Sequence, residues 1–238
     1  MEDGALTGPG DRATAVPDTD RRPVTARAFG DGLRERSRHH GIVPADLSAV
    51  SWPIHTARLT IRPATPADAD RTWRFRRLPT VDQWLSSRST TLEEYRTKFT
   101  DPERLSKMFI VELGGVVIGD LMLAVKNAWA QSEVQDQALG VQAELGWCLD
   151  PDHHRNGYAT EAVTELLRIC FADLGLRRVT ASCFADNTAS WLLMERLHLR
   201  RESHTVCESL HRNGQWLDGY GYALLADEWR KAQALTHP

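Results

Sequence analysis

A mixed α+β fold built on one central sheet is what this sequence predicts, and three observations carry that expectation. Two apolar strands, residues 107–113 and 116–123, form a hairpin about Gly114-Gly115. A strand at 143–149 leads through a polar, glycine-containing loop into a long amphipathic helix, with Ala159, Ala162, Val163, Leu166, Leu167, Cys170, Phe171 and Leu174 on one stripe. Beyond that helix, strands and helices alternate to the C-terminus, a pattern that layers helices on a sheet.

Composition narrows the possibilities. The 238 residues suffice for one ordinary domain with a tail, and 42% apolar content supports a sizeable core. A formal charge of −3 gives the whole chain no nucleic-acid footprint. Cys148, Cys170, Cys183 and Cys207 show no C-x-x-C pair and no zinc-like spacing, so no metal is expected. The first three fall in apolar-rich segments, as buried thiols in a reducing compartment do. No window approaches the roughly 18 apolar residues of a membrane span, and the N-terminus lacks an apolar signal core. A cytoplasmic protein is the expectation.

Residues 1–50 are rich in Gly, Pro, Asp, Arg and Thr and cannot offset their ordering entropy by burial. They read as a disordered or loosely docked extension, with a basic run at 33–40 that is a solvated, helix-prone tail or an arm for RNA or an acidic partner. Residues 51–238 read as one domain. It starts with an alternating strand at 57–63, stopped by Pro63. Thr65-Pro66 opens a helix bearing Asp68 and Asp70 near its positive end and Trp73 and Phe75 further on. A short helix holds Val81, Trp84 and Leu85, and a longer one spans 92–105. Residues 126–140 show no period. The stripe that starts at Ala159 should end at Gly175, followed by a strand at 179–184, a helix from Asp186, a strand from Leu199 to about Cys207, a turn at 211–215, a strand at 216–225 and a short helix at 226–232. Trp73 and Trp84 mark either core positions or a homodimer surface.

The chemistry concentrates between Glu144 and Ala162. A strand runs there into a loop and a helix start, and free backbone N–H groups beside an arginine make a ready anion site. Gly157 and Ala159 are small enough for a backbone to approach a diphosphate. No Gly-Lys-Ser/Thr follows, so this is not a Walker loop.

Several pieces fall together in order: Thr56-Ala57-Arg58-Leu59-Thr60-Ile61-Arg62, Ile118-Gly119-Asp120, Glu144-Leu145-Gly146-Trp147, Asn156-Gly157-Tyr158-Ala159-Thr160-Glu161-Ala162, Asn187-Thr188-Ala189-Ser190, and Trp216-Leu217-Asp218 before Tyr222-Ala223-Leu224-Leu225. Across roughly residues 55–230 the chain resembles the GNAT superfamily of N-acetyltransferases, and within it the RimJ/RimL type that acts on ribosomal-protein N-termini. The resemblance implies a single α+β domain whose central, mostly antiparallel, twisted sheet is splayed at the cofactor site and flanked by helices. It implies acetyl-CoA as cofactor. The family's diphosphate motif, Gln/Arg-x-x-Gly-x-Gly/Ala, falls on His154, Gly157 and Ala159, with His154 departing from Gln or Arg and Arg155 beside it. Either side chain could meet the phosphates. Asn156, Tyr158 and Thr160 belong to the same cradle, and backbone amides near Trp147, Cys148 and Leu149 would polarise the thioester carbonyl. The pantetheine arm would lie along this strand's free edge. Asn187 would cap its helix and contact the cofactor, and Ser190 would sit near the sulfur. His198-Leu199 stands where the family usually has Gly-Phe.

Acetyl transfer needs a neutral amine. A free α-amino group titrates near ~7.7–8.0, a lysine near ~10.4, so the former needs less help. Glu144 is the first candidate base, against the plainer reading of an exposed strand carboxylate in an ion pair, and Asp120 on the neighbouring strand is the second. Cys148 lacks an evident His/Asp partnership and reads as packing, not as a nucleophile. The expected activity is transfer of acetyl to a primary amine, above all a protein N-terminal α-amine, by direct attack in a ternary complex. The alternatives are acetylation of a small amine such as an antibiotic or polyamine, and a non-catalytic acyl-CoA sensor. The acceptor surface should come from 66–105, 126–140 and 209–216.

Overall fold

The structure, a computed structural model, describes residues 47–236. The extension expected over 1–50 therefore lies outside the described residues up to position 46. The described fold opens with a 3-10 turn, Leu47–Ala49, and Val50 is already buried against the main core.

Eight strands make one sheet in the order β1-β2-β3-β4-β5-β6-β8-β7. They are β1 Ile54–His55, β2 Leu59–Pro63, β3 Met108–Leu113, β4 Val116–Lys126, β5 Gln142–Leu149, β6 Arg178–Phe184, β7 Arg200–Leu210 and β8 Trp216–Leu225. Every neighbouring pair is antiparallel except β5 and β6. That parallel pair is joined by the crossover helix α5, Tyr158–Arg168, as a parallel connection requires. The mixed α+β expectation holds.

Two apolar layers clamp the sheet. On one face α5 buries Ala162, Val163, Leu166 and Leu167 against Leu121, Leu123, Leu145 and Val179. Each fully buried Val or Leu contributes about 1.5–3 kcal/mol. On the other face α1, Ala69–Arg76, and α3, Leu92–Phe99, bury Phe75, Tyr95 and Phe99 against Ile110, Val117 and Cys148. Short helices α2, Pro79–Asp82, and α4, Pro102–Leu105, complete that layer. Helix α6, Thr188–Arg196, lies between β6 and β7, and α7, Ala226–Thr236, follows β8. Trp73 packs, partly buried, against the second core and on Tyr95.

The differences from expectation have local causes. The helix expected over 92–105 is broken into α3 and α4. Pro102 disfavours helical backbone at the residue before it, and the Asp101 side chain instead caps α4 by accepting from the Arg104 N–H at 2.9 Å. The helix expected to reach Gly175 ends as α at Arg168 and continues as a π turn, Ile169–Asp173, closed by Leu174 N–H donating to the Ile169 carbonyl at 2.9 Å. The unpatterned 126–140 loop contains a 3-10 stretch, Ser132–Ala138. Strand β7 runs past Cys207 to Leu210 through two register shifts, with Cys207 at φ 48°. No helix among the described residues is long and apolar enough to cross a membrane.

Candidate active site

The site begins where two strands part. Strands β5 and β6 are paired only from Gln142↔Arg178 to Glu144↔Thr180. Beyond Glu144, β5 stays on β4 as far as Leu149↔Gly119, while β6 follows β8. Residues 145–149 therefore have one unpaired edge. In an antiparallel ladder alternate residues turn their N–H and C=O groups away from the partner, so this edge presents free backbone groups. The gap opens into a cavity of about 2040 Å³.

At one end of the cavity stands the start of α5. Gly157 occupies its N-cap at φ 80°, a left-handed conformation that L side chains rarely adopt. A Cβ there would sit 3.4 Å from Nη2 of Arg58. Arg155, two residues earlier, is also left-handed at φ 62°. Alternating left-handed positions turn successive N–H groups toward a common point, an anion-binding concavity. The preceding loop is held on its own side chains. Asp150 is buried and paired with Arg74 at 2.8 Å, and the Asn156 amide donates to the carbonyls of His153 and His154. The His154 Nε2 lies 3.1 Å from the Leu149 carbonyl. Arg155 makes no hydrogen bond or ion pair among the described residues.

Two arginines that sequence reasoning left without a site role stand at this end. Arg58 pairs with Glu161 in the first turn of α5 at 2.7 Å, donates to the Asn156 carbonyl at 2.9 Å, and lies 4.6 Å over the Tyr158 ring. Burial alone would raise the Glu161 carboxyl, but hydrogen bonds from Thr56 and Arg58 outweigh it and hold it below its ordinary value. Arg196 on α6 reaches Thr160 Oγ1 at 3.4 Å. The signal for Arg58 was its place in the Thr-Ala-Arg-Leu-Thr-Ile-Arg run; Arg196 carried none.

Across the gap Asn187 caps α6, its side chain accepting from the Ser190 N–H at 3.4 Å. The Ser190 hydroxyl makes no hydrogen bond among the described residues and lines the cavity. Of the expected site residues, Glu144, Trp147, Cys148, Leu149, His154, Arg155, Gly157, Tyr158, Ala159, Thr160, Asn187 and Ser190 all line this one cavity, and Asn156 does not. Asn156 faces back into its own loop.

The two candidate bases have different surroundings. Glu144 sits in the closed part of the fork, its carboxylate ion-paired with Lys126. This is the plainer of the two sequence readings. Asp120 lies opposite Cys148 in the opened part and is 2% exposed. Its Oδ1 accepts from Arg76 at 2.5 Å, and its Oδ2 is the buried side-chain polar atom left without a partner among the described residues. Burial opposes the Arg76 charge, but Asp120 outweighs it and holds the guanidinium protonated. Burial pushes the Cys148 thiol up to about 12, and no histidine is bonded to it, so it is an inert packing group.

These features fit coenzyme A. Gly157 holds a left-handed N-cap that a side chain would strain, the α5 start and Arg155 offer donors to phosphates, and the free edge of β5 offers main-chain partners to a pantetheine amide.

The comparisons with known proteins point the same way. The sequence model described as the acetyltransferase (GNAT) domain matches residues 58–200. The uncharacterized N-acetyltransferase YnaD of Bacillus subtilis is 34% identical over 86 residues, 36% of this chain and 50% of that protein. The chain thus spans half of YnaD, but 96% of a second B. subtilis relative, the uncharacterized N-acetyltransferase YoaA, at 26% identity over 72% of this chain. Among solved structures, a GNAT-family acetyltransferase from Bacillus anthracis superposes with a TM-score of 0.63 at 27% identity, covering 74% of this chain and all of that one. RimL, a ribosomal L7/L12 α-N-protein acetyltransferase solved with coenzyme A, gives 0.60 at 20% identity, covering 73% of this chain and 97% of that one.

Proposed function

The chain belongs to the acetyltransferase (GNAT) family, N-acetyltransferases that use acetyl-CoA, and from that premise we propose that its acceptor is the α-amine of a protein or peptide N-terminus, received at Asp120. The observation that carries this reading is the buried, unpartnered Asp120 Oδ2 on the cavity wall, directly across the strand pair from Cys148. Cβ atoms of such cross-strand neighbours lie about 4.5–5.5 Å apart, so an amine at Asp120 is beside the free edge of β5.

When bound, acetyl-CoA supplies an activated acetyl thioester. The free amides of 145–149 stabilise charge on its carbonyl oxygen. Arg155, Arg58 and Arg196 hold the phosphates at the α5 start, with Arg155, not His154, the side chain free to do so. Ser190 would donate a hydrogen bond from its hydroxyl to the departing sulfur. Asp120 draws in the ammonium form of the acceptor, which loses its proton to water in the open cavity. An α-amine near ~7.7–8.0 is already partly neutral at neutral pH. The neutral amine would attack the thioester carbon directly, without an acyl-enzyme: the C–N bond forms as the C–S bond breaks, the extra proton on nitrogen passes to water, and the CoA thiolate leaves. The proposal moves the amine-side carboxylate from Glu144, the sequence expectation, to Asp120.

The acceptor end also argues against a polyamine or aminoglycoside acceptor. Arg76, Arg104 and Lys107 line it together with Asp120 and Glu144, so it is not the acidic pocket a polycation requires. The RimL neighbour acts on a protein α-amine and lends the reading fold-level support. Release of CoA thiol is to be followed with acetyl-CoA against N-terminal peptides, aminoglycosides and polyamines. Turnover of peptides above the other two classes supports the reading, and turnover confined to a polycationic small amine overturns it.

A further inference from the structure

We infer that the acceptor carries an anionic group a few atoms from its amine, and that the guanidinium of Arg104 receives it. The inference rests on the acceptor end of the cavity assigned above. Arg104 lies on α4 and lines both the main cavity and a small adjoining pocket of about 10 Å³ that also touches Arg76 and Tyr95. The basic neighbours Arg76, Lys107 and Lys126 are each matched to a carboxylate. Arg76 is paired with Asp120, Lys107 with Glu103, and Lys126 with Glu144. Arg104 has no carboxylate within ion-pair distance and no side-chain hydrogen bond among the described residues.

The nearby carboxylates are already committed. Asp101 spends its side chain on the backbone N–H of Arg104 itself. Asp82, in the adjoining pocket, is held by Arg212 at 3.1 Å and by Arg88 at 3.3 Å. Asp120, on the cavity wall, gives one oxygen to Arg76, and its other oxygen is buried without a partner among the described residues. Burial, and then the charge of Arg76, pull the Arg104 guanidinium below its ordinary value, the mark of a cation lacking its counter-ion. A half-buried cation without a partner is costly unless a ligand supplies one. The guanidinium fork matches a carboxylate in two parallel hydrogen bonds. The cavity wall thus holds a complementary pair: a carboxylate oxygen that lacks a donor, for an ammonium, and a guanidinium that lacks an acceptor, for an anion. Their shared substrate chemistry is an amine with a carboxylate close by. A peptide beginning with an acidic residue has it, and so does a free α-amino acid.

Binding is to be measured by calorimetry on the full-length protein saturated with CoA, where no transfer occurs. The probes are Asp-Ala-Ala-Ala amide against Asn-Ala-Ala-Ala amide, and free alanine against alanine amide. The expected result is at least tenfold tighter binding of the Asp peptide than the Asn peptide, collapsing to within twofold in Arg104→Gln and partly kept in Arg104→Lys. The paired variants hold the inference testable should one of them fold poorly. If the two peptides bind alike while free alanine outbinds its amide in an Arg104-dependent way, the anion receptor stands and the peptide source is overturned. Equal binding within both pairs, or a preference that survives Arg104→Gln, overturns the inference. Arg104-dependent binding without acetyl-CoA turnover of either peptide overturns the N-terminal reading alone.

Discussion

Replacing Asp120 by asparagine keeps the shape of the side chain and removes the charge that neutralises Arg76. The Arg76 side chain is 14% exposed and that of Asp120 3%. Removing one partner of a buried pair costs about 3–5 kcal/mol, because the other charge stays behind. The asparagine oxygen can still accept from Arg76, which places Asp120→Asn near the low end. At about 2–4 °C per kcal/mol for a domain of this size, about 3 kcal/mol lowers the melting temperature by about 6–12 °C. The catalytic effect is separate. Without its carboxylate the site no longer draws in the acceptor ammonium; losing a charge-assisted hydrogen bond worth about 1.5–3 kcal/mol lowers kcat/KM by about 10- to 10²-fold. Glu144→Gln is the matched control. Its ion pair with Lys126 joins side chains 35% and 52% exposed, so the stability cost is below about 1 kcal/mol. The assay is CoA thiol release at a temperature well below both transitions, with CoA affinity by calorimetry as proof that the cofactor site is intact. A 10²-fold loss in Glu144→Gln with near-normal turnover in Asp120→Asn would return the amine-side role to Glu144 and refute the assignment made from the orphaned oxygen.

Three further outcomes follow from the geometry. Gly157→Asp forces a side chain into a left-handed N-cap and sets a carboxylate against the anion site; CoA affinity by calorimetry should fall at least about tenfold, combining backbone strain of ~1–2 kcal/mol with charge repulsion. An aromatic disulfide reagent should label exposed Cys207 in the native protein within minutes and leave Cys148 and Cys170, both pushed up to about 12 by burial, unlabelled until unfolding. Burial would raise the Asp68 carboxyl, but hydrogen bonds from Arg62 and Thr65 outweigh it and hold it low. A depressed carboxyl stabilises the fold above its unfolded value near ~3.9 and ceases to do so as pH falls through the folded value. Melting temperatures should therefore drop below about pH 4, and Asp68→Asn should be less stable at neutral pH while losing less on acidification.

What the sequence disclosed and what it hid divide along a physical line. Period-two patterning and Gly114-Gly115 disclosed β3 and β4, and the apolar stripe disclosed α5, because those signals are local. The ordered motifs located the junction between β5 and α5, and Gly157 as a small residue before the helix and Asn187 as a cap were legible from residue type. The side-chain pairings were not. Arg58 meets Glu161 from 103 positions away, Arg76 meets Asp120 from 44, and Lys126 meets Glu144 from 18. Each depends on strand register or on how a helix is seated, and a one-residue slip would turn every strand side chain to the opposite face. This is why the sequence order, Glu144 first and Asp120 second, took no account of the partners each carboxylate meets. Both are acidic residues on adjacent strands near the same turn. What separates them is where β5 leaves β6. The last paired residue is Glu144, so its carboxylate stays in the closed stem of the fork with a lysine for company. Asp120 lies opposite Cys148, four residues into the opened edge, and one of its oxygens is buried without a partner among the described residues.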